Sequence, residues 1–301
     1  MDDQAPRRAR SMPEFGKAAM QLFRDEEIGA SIQSYRPRPT DVVIAPFAKC
    51  GTTWLQQIFH CLRTGGDMDF DDISRVVPWI ETALATGLDL ESPQRAEPRG
   101  FKSHLSYEAV PKGARYIVAL RDPKDAIVSF YRFMEGWIIE PGAISVDEIA
   151  GFRLATSDEH DGYWHHLNTW WAERDNPEVL LLSYEQMSAE PEASIRKVAA
   201  FCGIPLDDGL LARTLEQSSL AYMLEHKDRF DDAMMRRVSE QRCNLPAGGD
   251  SAKVRKGGSG GGRELSAKID AALDAKWAEL VAPKWGFPDY AALEDALRAR
   301  G

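Results

Sequence analysis

This sequence has no long hydrophobic run and only four cysteines among its 301 residues. No apolar stretch reaches the roughly 18 residues of a transmembrane helix, so we predict no membrane span. The cysteines show neither CxxC spacing nor a disulfide framework, which is typical of a reducing compartment. No apolar segment follows the N-terminal arginines, so we predict no secretory signal and expect a cytoplasmic location.

Excess positive charge is also missing. The formal net charge is −10, whereas a protein that binds nucleic acid or an acidic membrane needs a broad basic face. The charge therefore argues against both partners. A small anionic ligand remains compatible with it, because the field inside a cleft depends on the nearest charges.

Internal repeats and linkers rich in proline or serine are absent between residues 41 and 220, which favours one domain. Strand-like and helical stretches alternate, so we predict an α/β fold with a parallel sheet flanked by helices. The predicted strands are 41–47, 100–105, 114–121 and 178–185, and the predicted helices are 52–63, 123–137, 161–174, 191–201 and a stretch from 210.

We expect an N-terminal arm and lead-in helix over residues 1–40, and one domain over residues 41–301. Within that domain, 231–263 is predicted to be a flexible loop, because it contains all seven glycines between 248 and 262.

An apolar strand ends at Lys49, Cys50 and Gly51, directly before a predicted helix that begins at Thr52. The turn therefore places free backbone N–H groups at a helix N-terminus, where phosphate or sulfate binds. A Walker A loop has the order GxxxxGK[ST], with the lysine after the last glycine. Here the lysine precedes the glycine, which argues against an ordinary nucleoside triphosphatase.

Two other predicted strand ends carry basic residues. In FKSHL, Lys102 and His104 are two residues apart and therefore point to the same face of a strand. In ALRDPKDAIVSFYRF, Arg121 is followed eight residues later by Ser129. Ligands of such sheets collect at the carboxyl ends of the strands, so Lys49, His104 and Arg121 are expected to converge.

Together with the RKG sequence at Arg255, Lys256 and Gly257, these motifs resemble those of the cytosolic-type sulfotransferases and occur in the family's order. The family's loop reads roughly PKSGTTW, and its KTHL strand end carries the catalytic histidine. The resemblance implies a P-loop-like fold. It also implies transfer of a sulfuryl group from 3′-phosphoadenosine 5′-phosphosulfate (PAPS) to a hydroxyl, less often an amine, of a small molecule, without a metal.

The resemblance implies that His104 is the general base and that Lys49 and Lys102 stabilise charge on the leaving phosphate and the sulfuryl oxygens. It implies that the donor is bound by Lys49, Cys50, Gly51, Thr52, Thr53, Trp54, Arg121, Ser129, Tyr184, Ser218, Leu220, Arg255, Lys256 and Gly257. Segments that border the acceptor pocket in the family are aromatic here, which favours an apolar or aromatic acceptor. They contain Trp79, Ile80, Phe133, Trp137, Phe152, Tyr163 and Trp164, each of which could equally belong to the core.

The chain departs from the family pattern in three places. Ala48 and Cys50 replace a usual proline and serine, and Cys50 is expected to make the site sensitive to thiol reagents. After Gly257, the usual GDWKN-like continuation is replaced by GSGGGRELS. The family's C-terminal dimerisation motif is not recognisable, so no oligomeric state is predicted.

Two other functions stay open from the sequence alone. A nucleotide kinase or related phosphotransferase needs a GK[ST] loop, and the position of Lys49 argues against it. A non-catalytic module that binds adenosine 3′,5′-bisphosphate is disfavoured by the presence of His104 with both lysines. We interpret the neighbouring acids Asp231 and Asp232 as caps or solvated turns.

Overall fold

The computed structural model describes residues 5–156, 162–255 and 260–300. The strands in these ranges are β1 (Val42–Ile44), β2 (Gly100–Lys102), β3 (Arg115–Leu120) and β4 (Val179–Ser183). They form one parallel sheet in the order β2-β1-β3-β4. Each strand lies within a segment that the sequence predicts to be a strand.

Helices surround this sheet. The α-helices, numbered α1 to α16 in chain order, are Met12–Leu22, Asp25–Ser34, Thr52–Thr64, Ile73–Val76, Ala83–Thr86, Pro123–Trp137, Val146–Ala155, Tyr163–Ala172, Tyr184–Ala189, Pro191–Cys202, Asp208–Gln217, Leu220–Glu225, Ala233–Cys243, Ala267–Leu280, Ala282–Trp285 and Tyr290–Arg298. Short 3₁₀ helices lie at Ile80–Thr82, Lys227–Phe230 and Gly261–Glu264. In the described residues no helix is both long and apolar enough to cross a membrane.

Both faces of the sheet are buried. Val43 of β1 belongs to one hydrophobic cluster with Trp170, and its neighbours Val42 and Ile44 belong to another with Phe59. Successive residues of a strand point to opposite faces, so helices must cover both sides. This confirms the predicted α/β fold with a parallel sheet flanked by helices.

Helix α6 has the predicted bounds, Pro123–Trp137. The Asp122 side chain accepts a hydrogen bond from the Lys124 N–H at 2.7 Å. Proline at the first position loses no helical hydrogen bond, so the Asp-Pro pair determines where the helix starts.

The prediction of a loop over residues 231–263 is wrong for its first part, which contains helix α13. That part lacks glycine, and Met234, Met235 and Val238 are buried there. The N-terminal region, predicted as an arm and one lead-in helix, forms two helices, α1 and α2. Arg242 of α13 donates to Glu27 of α2 at 2.6 Å, so the N-terminal helices pack on the segment that leads to the RKG motif.

The strand order explains how distant motifs meet. Ile44 of β1 pairs with Lys102 of β2 on one side and with Ile117 of β3 on the other. Leu120 of β3 pairs with Ser183 of β4. The residues that follow these strands therefore lie along one edge of the sheet, as the sequence predicts.

Candidate active site

The turn between β1 and α3 has the backbone of an anion-binding loop. Lys49 and Gly51 adopt left-handed conformations with φ of 70° and 94°. A Cβ atom at Gly51 would lie 3.1 Å from Tyr184 Cδ2, so glycine suits both the conformation and the close approach. No side chain of the described residues caps α3, and the buried Thr52 hydroxyl has no hydrogen-bond partner among them. These free donors fit a phosphate or sulfate group.

His104 follows β2 and is oriented by a backbone carbonyl. Its Nδ1 lies 2.8 Å from the Pro46 carbonyl oxygen, which can only accept a hydrogen bond. The hydrogen is therefore on Nδ1, and the Nε2 lone pair is left to accept a proton. The His104 backbone N–H donates to Glu81 at 2.6 Å, which fixes the position of the ring at the strand end.

Burial, followed by the charge of Lys102, holds the pKa of His104 well below its usual value. The imidazole is therefore neutral at pH 7, which is the form that can accept a proton.

Two lysine ammonium groups of the site lie on aromatic rings, and one of these rings packs against His104. Lys102 Nζ is 3.8 Å from the centre of the Trp79 ring. The centres of the Trp79 and His104 rings are 5.1 Å apart. Lys49 Nζ is 4.4 Å from the centre of the Phe133 ring. Burial lowers the pKa of Lys49 to about 7 and that of Lys102 to about 8. An arriving anion would favour the charged form of both.

Arg121 and Tyr184 form the other end of the site, after β3 and β4. The Arg121 guanidinium donates to the Lys49 carbonyl at 2.7 Å and lies 4.0 Å from the centre of the Tyr184 ring. The centre of the Trp54 ring, on α3, lies 5.9 Å from the centre of the same tyrosine ring. The arginine therefore links the anion-binding turn to a pair of aromatic rings.

Comparison with known proteins gives the family. A family model described as "Sulfotransferase domain" matches residues 39–262, which is most of the chain. The chain belongs to the sulfotransferase family. This membership confirms the predicted class of enzyme, a PAPS-dependent sulfotransferase.

Curated relatives and solved structures agree with this family. The sulfotransferase is 27% identical to mouse sulfotransferase 1 family member D1 over 218 residues, which are 69% of this chain and 74% of that protein. It is 26% identical to human sulfotransferase 1C2 over 210 residues, covering 65% and 70% of the two chains.

The fold is similar to that of mouse sulfotransferase SULT7A1 complexed with PAP, with a TM-score of 0.65, 20% identity and coverage of 92% and 95%. It is also similar to that of retinol dehydratase in a complex with retinol and PAP, with a TM-score of 0.64, 18% identity and coverage of 91% and 95%.

Other donor-binding candidates of the sulfotransferase lie on separate elements. Ser129 is half-buried on α6, and the half-buried Arg255 is close enough to Arg121 and Tyr184 for their charges to affect its pKa, which burial lowers. Ser218 is buried and donates to the Thr214 carbonyl at 2.6 Å. Leu220 begins α12 and is exposed, Thr53 is half-buried on α3, and Lys256 and Gly257 lie outside the described residues.

Cys50 differs from the sequence-based expectation. Its side chain is buried, and burial raises its thiol pKa to about 12. A neutral, inaccessible thiol reacts slowly with thiol reagents, so the expected sensitivity is wrong.

The residues predicted at the acceptor pocket divide into three groups. Trp79 and Phe133 contact the two ammonium groups, whereas Phe152, Tyr163 and Trp164 line a cavity of about 170 Å³. Phe47 and Ala48, from the turn that carries Lys49, form another wall of this cavity. Ile80 and Trp137 are buried in the core.

Sequence reasoning missed three charged groups in the site. Glu81 holds the His104 backbone, and no sequence pattern indicated it. Asp232 and Lys253 form an ion pair of 2.5 Å with side chains only 4% and 7% exposed. Asp232 stands at the N-cap position of α13, but its side chain makes no cap hydrogen bond and is buried, so our interpretation of it as a cap or a solvated turn residue is wrong. The sequence does offer one signal for Lys253, because this lysine lies two residues before Arg255 of the RKG motif.

Proposed function

We propose that this sulfotransferase moves the sulfuryl group of PAPS to a hydroxyl of a small apolar or aromatic acceptor by in-line displacement, with His104 as the general base. The observation that carries the proposal is the hydrogen bond from His104 Nδ1 to the Pro46 carbonyl. It leaves Nε2 free to take the acceptor's proton, close to the Lys102 ammonium group.

The proposed transfer forms one bond to sulfur and breaks another. The acceptor oxygen forms a bond to sulfur as its proton passes to His104 Nε2. The bond between sulfur and the phosphate oxygen breaks, and its electron pair stays on that oxygen. Lys49 and Lys102 stabilise the resulting negative charge, so the protein need not form a covalent bond to the transferred group.

The free donors of the anion-binding turn support binding of the 5′-phosphosulfate. Arg121, Arg255 and Ser129, together with Lys256, are proposed to hold the 3′-phosphate, and the rings of Trp54 and Tyr184 are proposed to contact adenine. An arginine binds a phosphate through two parallel hydrogen bonds, which makes it selective for this group.

This proposal predicts that adenosine 3′,5′-bisphosphate binds about 10- to 100-fold more tightly than ATP without magnesium. ATP lacks the 3′-phosphate, and a hydrogen bond to a charged group contributes about 1.5–3 kcal/mol. Calorimetry in a chelating buffer measures both affinities. Replacing Arg255 by alanine should reduce the preference, while affinity for adenosine 5′-phosphosulfate, which has no 3′-phosphate, changes little. Equal affinity for ATP, or a strict need for magnesium, would contradict the proposal.

The cavity supports an apolar or aromatic acceptor. It is lined by rings, and the side chain of Arg153 lies between Phe47 and Phe130, 5.1 and 4.5 Å from their centres. Retinol dehydratase, whose fold is similar, has been solved with retinol and with androsterone, two largely apolar alcohols. We propose the same chemical class here, and a cytoplasmic location.

A screen of PAPS with a mixed library of hydroxyl compounds tests the acceptor class. Mass spectrometry would detect each product by the added sulfuryl mass. We expect phenols and hydrophobic alcohols to react and highly polar sugars to remain unmodified. Replacing Phe152 by serine should lower turnover of the best acceptor without changing bisphosphate affinity.

A further inference from the structure

Asp232 and Lys253 form a buried ion pair beside the groups proposed to carry out the transfer. Asp232 Oδ2 contacts Lys253 Nζ at 2.5 Å, and Asp232 Oδ1 lies 3.8 Å from Lys102 Nζ. Although burial opposes ionisation, the two ammonium groups lower the pKa of Asp232 below its usual range. One carboxylate therefore lies between two lysines.

Lys253 is close enough to the other basic side chains of the site to affect their protonation. Its ammonium group contributes to the lowered pKa values of Lys49, Lys102 and His104. Burying several like charges together is costly unless an anion joins them. Asp232 supplies a negative charge next to Lys102 and Lys253, and the buried carboxyl groups of Glu81 and Asp72 also lie close enough to raise the pKa of Lys102.

The chain before the RKG motif is held in place by two neighbouring acids. Asp231 accepts a hydrogen bond from the Ser251 N–H at 3.0 Å, and Asp232 pairs with Lys253. Lys253 thus faces Lys102, whereas Arg255, two residues later, is near Arg121 and Tyr184. This short segment therefore brings one cation to each end of the site.

We propose that Lys253 is a third cation of the transfer centre, which binds the sulfuryl oxygens of the donor, and that Asp232 positions Lys253 and Lys102 for this task. An ammonium group has three N–H donors. In the described part of the chain Lys253 pairs only with Asp232, so donors remain for the sulfuryl oxygens. The inference rests on the proposed function.

The first test replaces Lys253 by methionine, which has a similar length and no charge. We expect turnover of PAPS with the best acceptor from the screen, or with water if none is found, to fall by about 10- to 100-fold, since a hydrogen bond to a charged group is lost. Affinity for adenosine 3′,5′-bisphosphate, which has no sulfuryl group, should change by less than about threefold. Lys253→Arg should recover part of the turnover.

Lys227→Met is the matched control. Lys227 forms an exposed ion pair with Asp250 at 2.5 Å, so this change removes the same charge from the nearby surface. The control should retain wild-type turnover.

Three results would overturn the role of Lys253. The first is wild-type turnover in Lys253→Met, and the second is an equal loss of turnover and bisphosphate affinity. The third is a loss confined to acidic acceptors, which would indicate that Lys253 binds the acceptor. A wild-type enzyme that neither binds nor consumes PAPS would overturn the proposed function as well, so the two failures can be told apart.

The second test replaces Asp232 by asparagine. Without the carboxylate, the charged form of Lys102 is less favourable and its pKa should fall. The alkaline limb of the pH profile of kcat should therefore move to lower pH. A variant whose melting temperature falls while its pH profile stays unchanged would show that Asp232 is only a structural partner and would overturn its positioning role.

Discussion

Replacement of His104 by alanine is expected to lower kcat by about 10²- to 10⁴-fold, the usual contribution of a general base. Affinity for adenosine 3′,5′-bisphosphate should remain nearly unchanged, because His104 is proposed to contact the acceptor's proton and not the nucleotide. Single-turnover measurements with saturating PAPS would separate this chemical step from product release.

His165→Ala is a suitable control for this prediction. His165 lies on α8 with its Nε2 3.3 Å from a Glu108 carboxylate oxygen, and its loss should leave kcat close to wild type. The wild-type pH profile adds a second check. Because burial and Lys102 lower the pKa of His104, its neutral form persists below pH 6.5, and kcat/KM should keep its value there. Near-normal turnover in His104→Ala would mean that another group is the base.

Much of the fold could be predicted because local patterns and tertiary structure agree. Apolar runs of four to eight residues that alternate with amphipathic stretches indicate buried parallel strands with helical connections. The start of helix α6 can be predicted because Asp122 and Pro123 mark it in the sequence. The N-terminal helices and α13 were harder to predict, since their burial depends on contacts between segments far apart in the chain.

The site could be predicted only where its residues follow strands or occur in recognisable motifs. Lys49, His104 and Arg121 meet these conditions, and the strand order brings them to one edge of the sheet. Asp232 does not, because its role depends on Lys253 and Lys102, which approach it from other parts of the chain. The low reactivity of Cys50 could not be predicted for a similar reason, because its burial is a property of the packed structure.

Replacement of Lys49 by methionine is expected to lower kcat/KM for PAPS by about 10²- to 10³-fold, as for other groups that stabilise charge in a transition state.

Lys49 is also expected to make nucleotide binding depend on pH. Burial, helped by the charges of Lys253, Arg121 and Lys102, lowers its pKa to about 7 in the free enzyme. A bound anion favours the ammonium form and raises that pKa. Above pH 7, binding should therefore take up a proton, and affinity should fall as the pH rises, by at most about tenfold per pH unit from this one group.

Calorimetry of adenosine 3′,5′-bisphosphate binding in two buffers with different ionisation enthalpies measures this proton uptake. Between pH 7 and 8 the wild type should take up a fraction of a proton through Lys49. Lys49→Met should lose both that uptake and much of the affinity. Lys49→Arg separates the two effects, because an arginine stays charged at every pH in this range. It should lose the uptake through this position but retain more affinity at pH 8 than Lys49→Met. If Lys49→Met takes up as many protons as the wild type, the titrating group is a different one, and the assignment of Lys49 to the bound anion is wrong.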